Sequence, residues 1–139
     1  MYYNHQLFRP NVDISLVNDI ANAINGQYSA IHCYERLAQL APSEDVRKQI
    51  LEIRQDEINH FRAFSQIYVS LTGRRPTPQI IEQCEQEYLA GLRASFKDEQ
   101  ITTDFYLDVA EKTTEPHIKE TFRRALQTNK ITQCGFCIS

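Results

Sequence analysis

Tryptophan is absent, methionine occurs once, and glycine and proline number only four and five in 139 residues. With 42% apolar residues, so few chain breakers exclude a disordered or fibrous chain. No apolar run approaches the roughly 20 residues that cross a bilayer, so no membrane partner is expected. The opening Met1-Tyr2-Tyr3-Asn4-His5-Gln6 lacks the basic-then-apolar order of a signal peptide, which predicts an intracellular, cytoplasmic protein. There is no Lys/Arg stripe, and the net charge of -3 argues against a nucleic-acid partner. Cysteine is also scarce. Cys33 and Cys84 fall in helical patterns and read as small buried thiols. Cys134 and Cys137 form a lone C-x-x-C, without the second pair that a zinc knuckle needs.

What is present is helical periodicity. The length suits one domain, residues 1–139, with an irregular start over 1–12 and an atypical tail over 126–139. Asp13 is a good N-cap for a first helix ending near Leu40, with the stripe Val17, Ile20, Ile24, Gln27, Ile31, Tyr34, Ala38. Ala41-Pro42 breaks it, and Ser43 caps a second helix that stops at Gly73. The second stripe is Ile50, Ile53, Glu57, His60, Phe64, Ile67, Leu71. A turn with two prolines follows, then a third helix over 79–112 carrying Leu92, Ser95, Glu99, Thr102, Tyr106 and Val109 on one face. Thr114-Glu115-Pro116 starts a fourth, over about 116–130, with Ile118, Phe122, Ala125, Asn129 and Thr132. No stretch alternates like a half-buried strand. The expected fold is all-α, an antiparallel four-helix bundle.

Gln27, Glu57, His60 and Glu99 sit on inward faces where apolar residues belong. A shift of 72 residues aligns the two halves without gaps. Tyr34 falls on Tyr106, Ala38 on Ala110, Ile50 on Phe122, and Gln27 on Glu99. Glu57 falls on Asn129 and His60 on Thr132. A Glu and a His three residues apart on a helix point the same way. Joined by a Glu from a neighbouring helix they can ligate one metal ion, and two such sets hold two irons in a bundle core. Of those six ligands the chain keeps three, Glu57, His60 and Glu99. His5, His32 and His117 fall outside the constellation and read as surface histidines.

The segment from Asn25 to Pro76 carries I-N-G-Q-Y-S-A-I-H-C-Y-E-R-L-A, L-E-I-R-Q-D-E-I-N-H-F and L-T-G-R-R-P. It resembles the ferritin-like superfamily, in the rubrerythrin-like branch without a rubredoxin domain, and is similar to small proteins of spore-forming bacilli. The resemblance covers about residues 13–125. It implies a ferritin-like di-iron carboxylate bundle with peroxide reduction, ferroxidase or oxygen chemistry, and pairing into a homodimer. Carried over by position, Glu57, His60 and Glu99 match as metal ligands. Gln27 stands where the family pattern has Glu and offers one neutral oxygen. Asn129 and Thr132 match nothing. The expectation is therefore one ion, iron or zinc, at partial occupancy, without a full di-iron centre and with weak or no activity. The other class of reading is a non-catalytic bundle serving structure or interaction, for which the resemblance to proteins of spore-forming bacilli implies association with spores. Substrate and electron donor are not legible.

The family's fourth helix carries D-E-x-x-H followed by apolar and aromatic residues. The residues after Ala125 can be spelled in nucleotides such that one G inserted after the Ala125 codon reads on as A-A-D-E-Q-N-H-A-V-W-F-L-Y-F. That reading returns an E-x-x-H in the register set by the repeat. We therefore expect that the tail arose by a one-nucleotide deletion, that it packs poorly, and that its C-x-x-C is a by-product.

Overall fold

The computed structural model describes residues 13–128. Four helices form there, α1 (Ile14–Gln39), α2 (Glu44–Thr72), α3 (Tyr88–Lys112) and α4 (Pro116–Gln127), with no strand among the described residues. The boundaries follow local signals. The Asp13 carboxylate accepts from Ser15 N–H at 2.9 Å, and the Ser43 hydroxyl accepts from Val46 N–H at 3.2 Å. Gly73 closes α2 in the left-handed region, φ 72°, and its N–H donates to the Val69 carbonyl. Pro116 takes the first turn of α4, where its missing N–H costs nothing.

Contacts along α1 establish the directions. Arg54 Nε donates to the Ile31 carbonyl and Phe61 stacks near Tyr28, so α2 returns antiparallel to α1. A Cβ at Gly91 would press on Leu37, Tyr106 meets Gln27, and Lys112 meets Asp19, so α3 also runs antiparallel to α1. Hence α2 and α3 run parallel, and residues 73–87 carry the chain back along the bundle. One such long crossover is the ferritin-like connection. α4 returns along α3, with Phe122 stacked on Phe64 and Tyr106.

The third helix starts nine residues later than its expected start at Gln79. Residues 79–87 are instead extended over α1: Gln79 N–H donates to Asn25 Oδ1, Ile81 N–H to Ser29 Oγ, and Cys84 is disulfide-bonded to Cys33. The reading of Cys33 and Cys84 as free buried thiols is thereby corrected. Local helix propensity in this segment yields to tertiary bonds and a covalent link. The expected residues 128–130 of the fourth helix mostly fall outside the described residues, as do Cys134, Cys137 and the rest of the tail.

Two apolar clusters form. The larger joins all four helices through Ile20, Ile24, Phe64, Tyr106, Val109 and Phe122. The smaller packs Tyr34, Leu37, Ile50, Ile53 and Leu92 from α1, α2 and α3. Phe64, Phe122, Ile20, Ile50 and Val109 are fully buried. A polar layer lies between the clusters. No described helix is long and apolar enough to cross a membrane.

Candidate metal centre

The polar layer surrounds a cavity of about 20 Å³, lined among others by Gln27, Glu57, His60, Glu99, Tyr106 and Thr128. That is room for one water or one ion. The structure thus brings together the four side chains singled out on the inward stripes. Gln27 and Glu57 are buried among apolar neighbours, and His60 and Glu99 are half-buried. Asn129 and Thr132 lie outside the described residues. His32 and His117 are exposed, away from this layer.

Three helices supply the donors. On α2, one turn brings His60 Nδ1 to 3.0 Å from Glu57 Oε1. Glu99 of α3 faces Glu57 across the pocket, the two carboxyls within hydrogen-bonding reach. Burial pushes Glu57 up to about 7. Burial, then the Glu57 charge beside it, pushes Glu99 up to about 8. Two carboxyls in a dry pocket do not both ionise, so they share a proton near neutral pH. Burial pushes the His60 imidazole down, partly offset by Asp56 and Glu99, and a neutral ring is the form that ligates metal. His60 Nε2 lies 2.6 Å from Thr128 Oγ1, which also lies 3.2 Å from the Ala125 carbonyl oxygen. In the metal-free site an ionised Glu57 accepts from Nδ1–H, and an ion at Nδ1 requires the other tautomer, with Nε2–H donating to Thr128 Oγ1. A partner on the outer nitrogen is what orients a metal-ligating histidine.

The 72-residue shift reappears as a crossed pair. Gln27 Nε2 on α1 donates to the Tyr106 hydroxyl on α3, while the Tyr34 hydroxyl on α1 turns toward Glu99 on α3. Tyr34 and Tyr106 are repeat equivalents, and so are Gln27 and Glu99. Burial and the nearby carboxylates hold both phenols well above their ordinary values, hence protonated. The alignment of the two tyrosines was visible in the sequence; their place beside the carboxylates was not. Thr128 carried no sequence signal, being one threonine at a helix end.

Among the described residues, no group of three or more His, Cys, Asp or Glu side chains stands ready around an ion. The donors instead satisfy one another, with Glu57 bonded to both His60 and Glu99. The chemistry of the set nevertheless fits one divalent ion. Gln27 Oε1 is buried without a hydrogen-bond partner, an acceptor that an ion or its water would satisfy.

The family model described as Rubrerythrin matches residues 19–131. The chain belongs to the rubrerythrin family. It is 51% identical over 113 residues to the uncharacterized protein YhjR of Bacillus subtilis (strain 168), covering 81% of this chain and 78% of that protein. A hypothetical protein from Pyrococcus furiosus superposes with a TM-score of 0.68 over 87% of this chain and 85% of that one, at 19% identity, a likeness of fold. Within the rubrerythrin fold, the polar layer described above occupies the bundle core where ferritin-like proteins build carboxylate metal sites.

Proposed function

We propose that this chain is a rubrerythrin-type metal-binding protein whose di-iron centre is reduced to a single-ion site, held by Glu57, His60 and Glu99 with Gln27 as a neutral fourth donor. The observation that supports this most is the polar layer itself: four side chains from three helices around a cavity of one-water size, within an otherwise apolar core. Burying such groups without purpose costs several kcal/mol. Iron or zinc suits two oxygen donors and an imidazole.

When bound, the ion supplies a Lewis-acid centre, or a one-electron couple if it is iron. The protein's own part is proton management and exclusion of water. Glu57 and Glu99 must give up their shared proton for an ion to enter. Thr128 Oγ1 holds the His60 ring so that Nδ1 faces the pocket. Tyr106 holds Gln27 in place, and the buried Tyr34 and Tyr106 rings keep the site dry. With only two carboxylates, peroxidase or ferroxidase turnover should be weak or absent. We also propose that the fourth ligand helix is lost through a changed reading frame after Ala125. Restoring that frame, together with Gln27→Glu, should raise the metal content from one ion toward two per chain. The homodimer expected of the family has exposed apolar side chains to draw on, Ile101 and Leu107 of α3. Light scattering on the purified protein tests the pairing.

The alternative, a non-catalytic bundle, draws support from the donors being bonded to one another with no preformed three-ligand group among the described residues. Metal analysis of protein expressed in iron- or zinc-supplemented medium decides between the two. Bound metal that disappears in Glu57→Gln supports the site; its absence supports the bare bundle.

A further inference from the structure

The Cys33–Cys84 disulfide links residues 51 apart and is the one cross-link among the described residues. It is not a core staple. Both cysteines are half-buried and line a second cavity of about 50 Å³, together with Tyr34, Glu82, Ser95 and Asp98. Tyr34 lies on the side of this cavity nearest the metal pocket, through its neighbour Glu99. It follows Cys33 directly, lines the second cavity, and turns its hydroxyl toward Glu99.

The segment that carries Cys84 is otherwise held by few bonds, one of them between the Glu82 and Asp98 carboxyls at α3. Residues 79–87 meet α1 through two backbone N–H groups, on Asn25 and Ser29, and through Arg36 Nη2 on Gln86 Oε1 at 2.8 Å. Ile80 and Ile81 are about half exposed and bury little apolar surface. Glu87, at the N-cap of α3, makes no side-chain capping bond, so the helix start is not sealed behind the segment. A segment with few buried apolar contacts opens at low cost once its tether is gone.

We propose that Cys33–Cys84 is a reversible thiol–disulfide site, and that its reduction frees residues 79–87 and opens the cavity leading past Tyr34 to the metal pocket. The reductant is a dithiol. Its thiolate attacks one cysteine sulfur, the Cys33–Cys84 bond breaks, and the other cysteine leaves as a thiolate that takes up a proton. The reductant's second thiolate then attacks the mixed disulfide, giving two protein thiols and the reductant's own disulfide. A disulfide oxidant reverses both exchanges. The gating part of the proposal rests on the metal-site reading above; the release of the segment does not.

The test compares oxidised and dithiothreitol-reduced full-length wild-type protein, so no variant has to fold. Differential alkylation with peptide mapping follows Cys33 and Cys84 separately from Cys134 and Cys137. Hydrogen exchange reads residues 79–87, and electron paramagnetic resonance reads uptake of Mn²⁺, which prefers carboxylates to thiolates. On reduction, exchange over 79–87 should quicken tenfold or more while α1 and α2 stay protected, and Mn²⁺ uptake should quicken at least tenfold. Unreactive sulfurs, or unchanged exchange over 79–87, would overturn the proposal. Quickened exchange with unchanged uptake would overturn the gate. If neither form takes up Mn²⁺ or iron, the metal-site reading fails instead, and the exchange result alone decides the thiol–disulfide site.

Discussion

Glu99→Gln separates a residue kept for metal binding from one kept for stability. In the metal-free protein Glu99 is held up to about 8, against an ordinary value of 4.5, by burial and by Glu57. Below about 4.5 the carboxyl is protonated whether the chain is folded or not, and it exacts no penalty. As pH rises, the unfolded chain releases this proton while the folded chain keeps it, so stability is lost progressively up to about pH 8. At about 1.36 kcal/mol per pH unit, the loss at pH 7 has a ceiling of about 3 kcal/mol. Relaxation of a group that keeps some solvent contact reduces it, and we expect about 1–3 kcal/mol. A glutamine at this position has no such penalty and can still donate to Glu57. The variant should therefore melt about 3–10 °C higher than wild type at pH 7 in chelator, and about equally at pH 5. Adding Zn²⁺ should raise the wild-type midpoint and leave the variant unmoved. Thermal melts followed by circular dichroism at pH 5, 6, 7 and 8 provide the measurement. A variant less stable than wild type at pH 7, or a difference independent of pH, would refute the reasoning.

Other expectations follow from single contacts. Phe64 is fully buried, with ring centroids 5.3 Å from Tyr106 and 4.6 Å from Phe122, so Phe64→Ala should cost about 3–5 kcal/mol in a urea titration. Thr128→Val removes the partner of His60 Nε2 and should weaken metal binding about 10–100-fold by calorimetry, with little change in metal-free stability. Cys84→Ser reopens a loop of 51 residues, and loop-closure entropy puts the loss at about 4 kcal/mol, read as a midpoint lower by about 14 °C. Because an ion must displace the proton shared by Glu57 and Glu99, affinity for Zn²⁺ should rise from pH 6 to pH 8, with proton release on binding.

Much of this was legible because the signals are local. Asp13, Ser43, Gly73 and Pro116 act within one turn of their own helices, so the sequence alone places those ends. The inward stripes identified Gln27, Glu57, His60 and Glu99 as polar residues in apolar company, and the repeat tied Gln27 to Glu99. What escaped depends on distant neighbours. Residues 79–87 have helical composition, and bonds to Asn25, Ser29, Cys33 and Arg36 hold them extended. Four cysteines allow several pairings, and nothing in their spacing selects Cys33 with Cys84. Thr128 matters only because α4 returns past His60. The positions that would complete a second ligand set, Asn129 and Thr132, lie outside the described residues.

The central claim is one ion held by Glu57, His60 and Glu99. Metal per chain, measured by mass spectrometry of the elements on protein purified from supplemented medium and then passed through a desalting column, tests it most directly. The expected result is up to one iron or zinc per wild-type chain and none in Glu57→Gln or Glu99→Gln. Two ions per wild-type chain, no ion at all, or an ion retained in both variants would contradict the account.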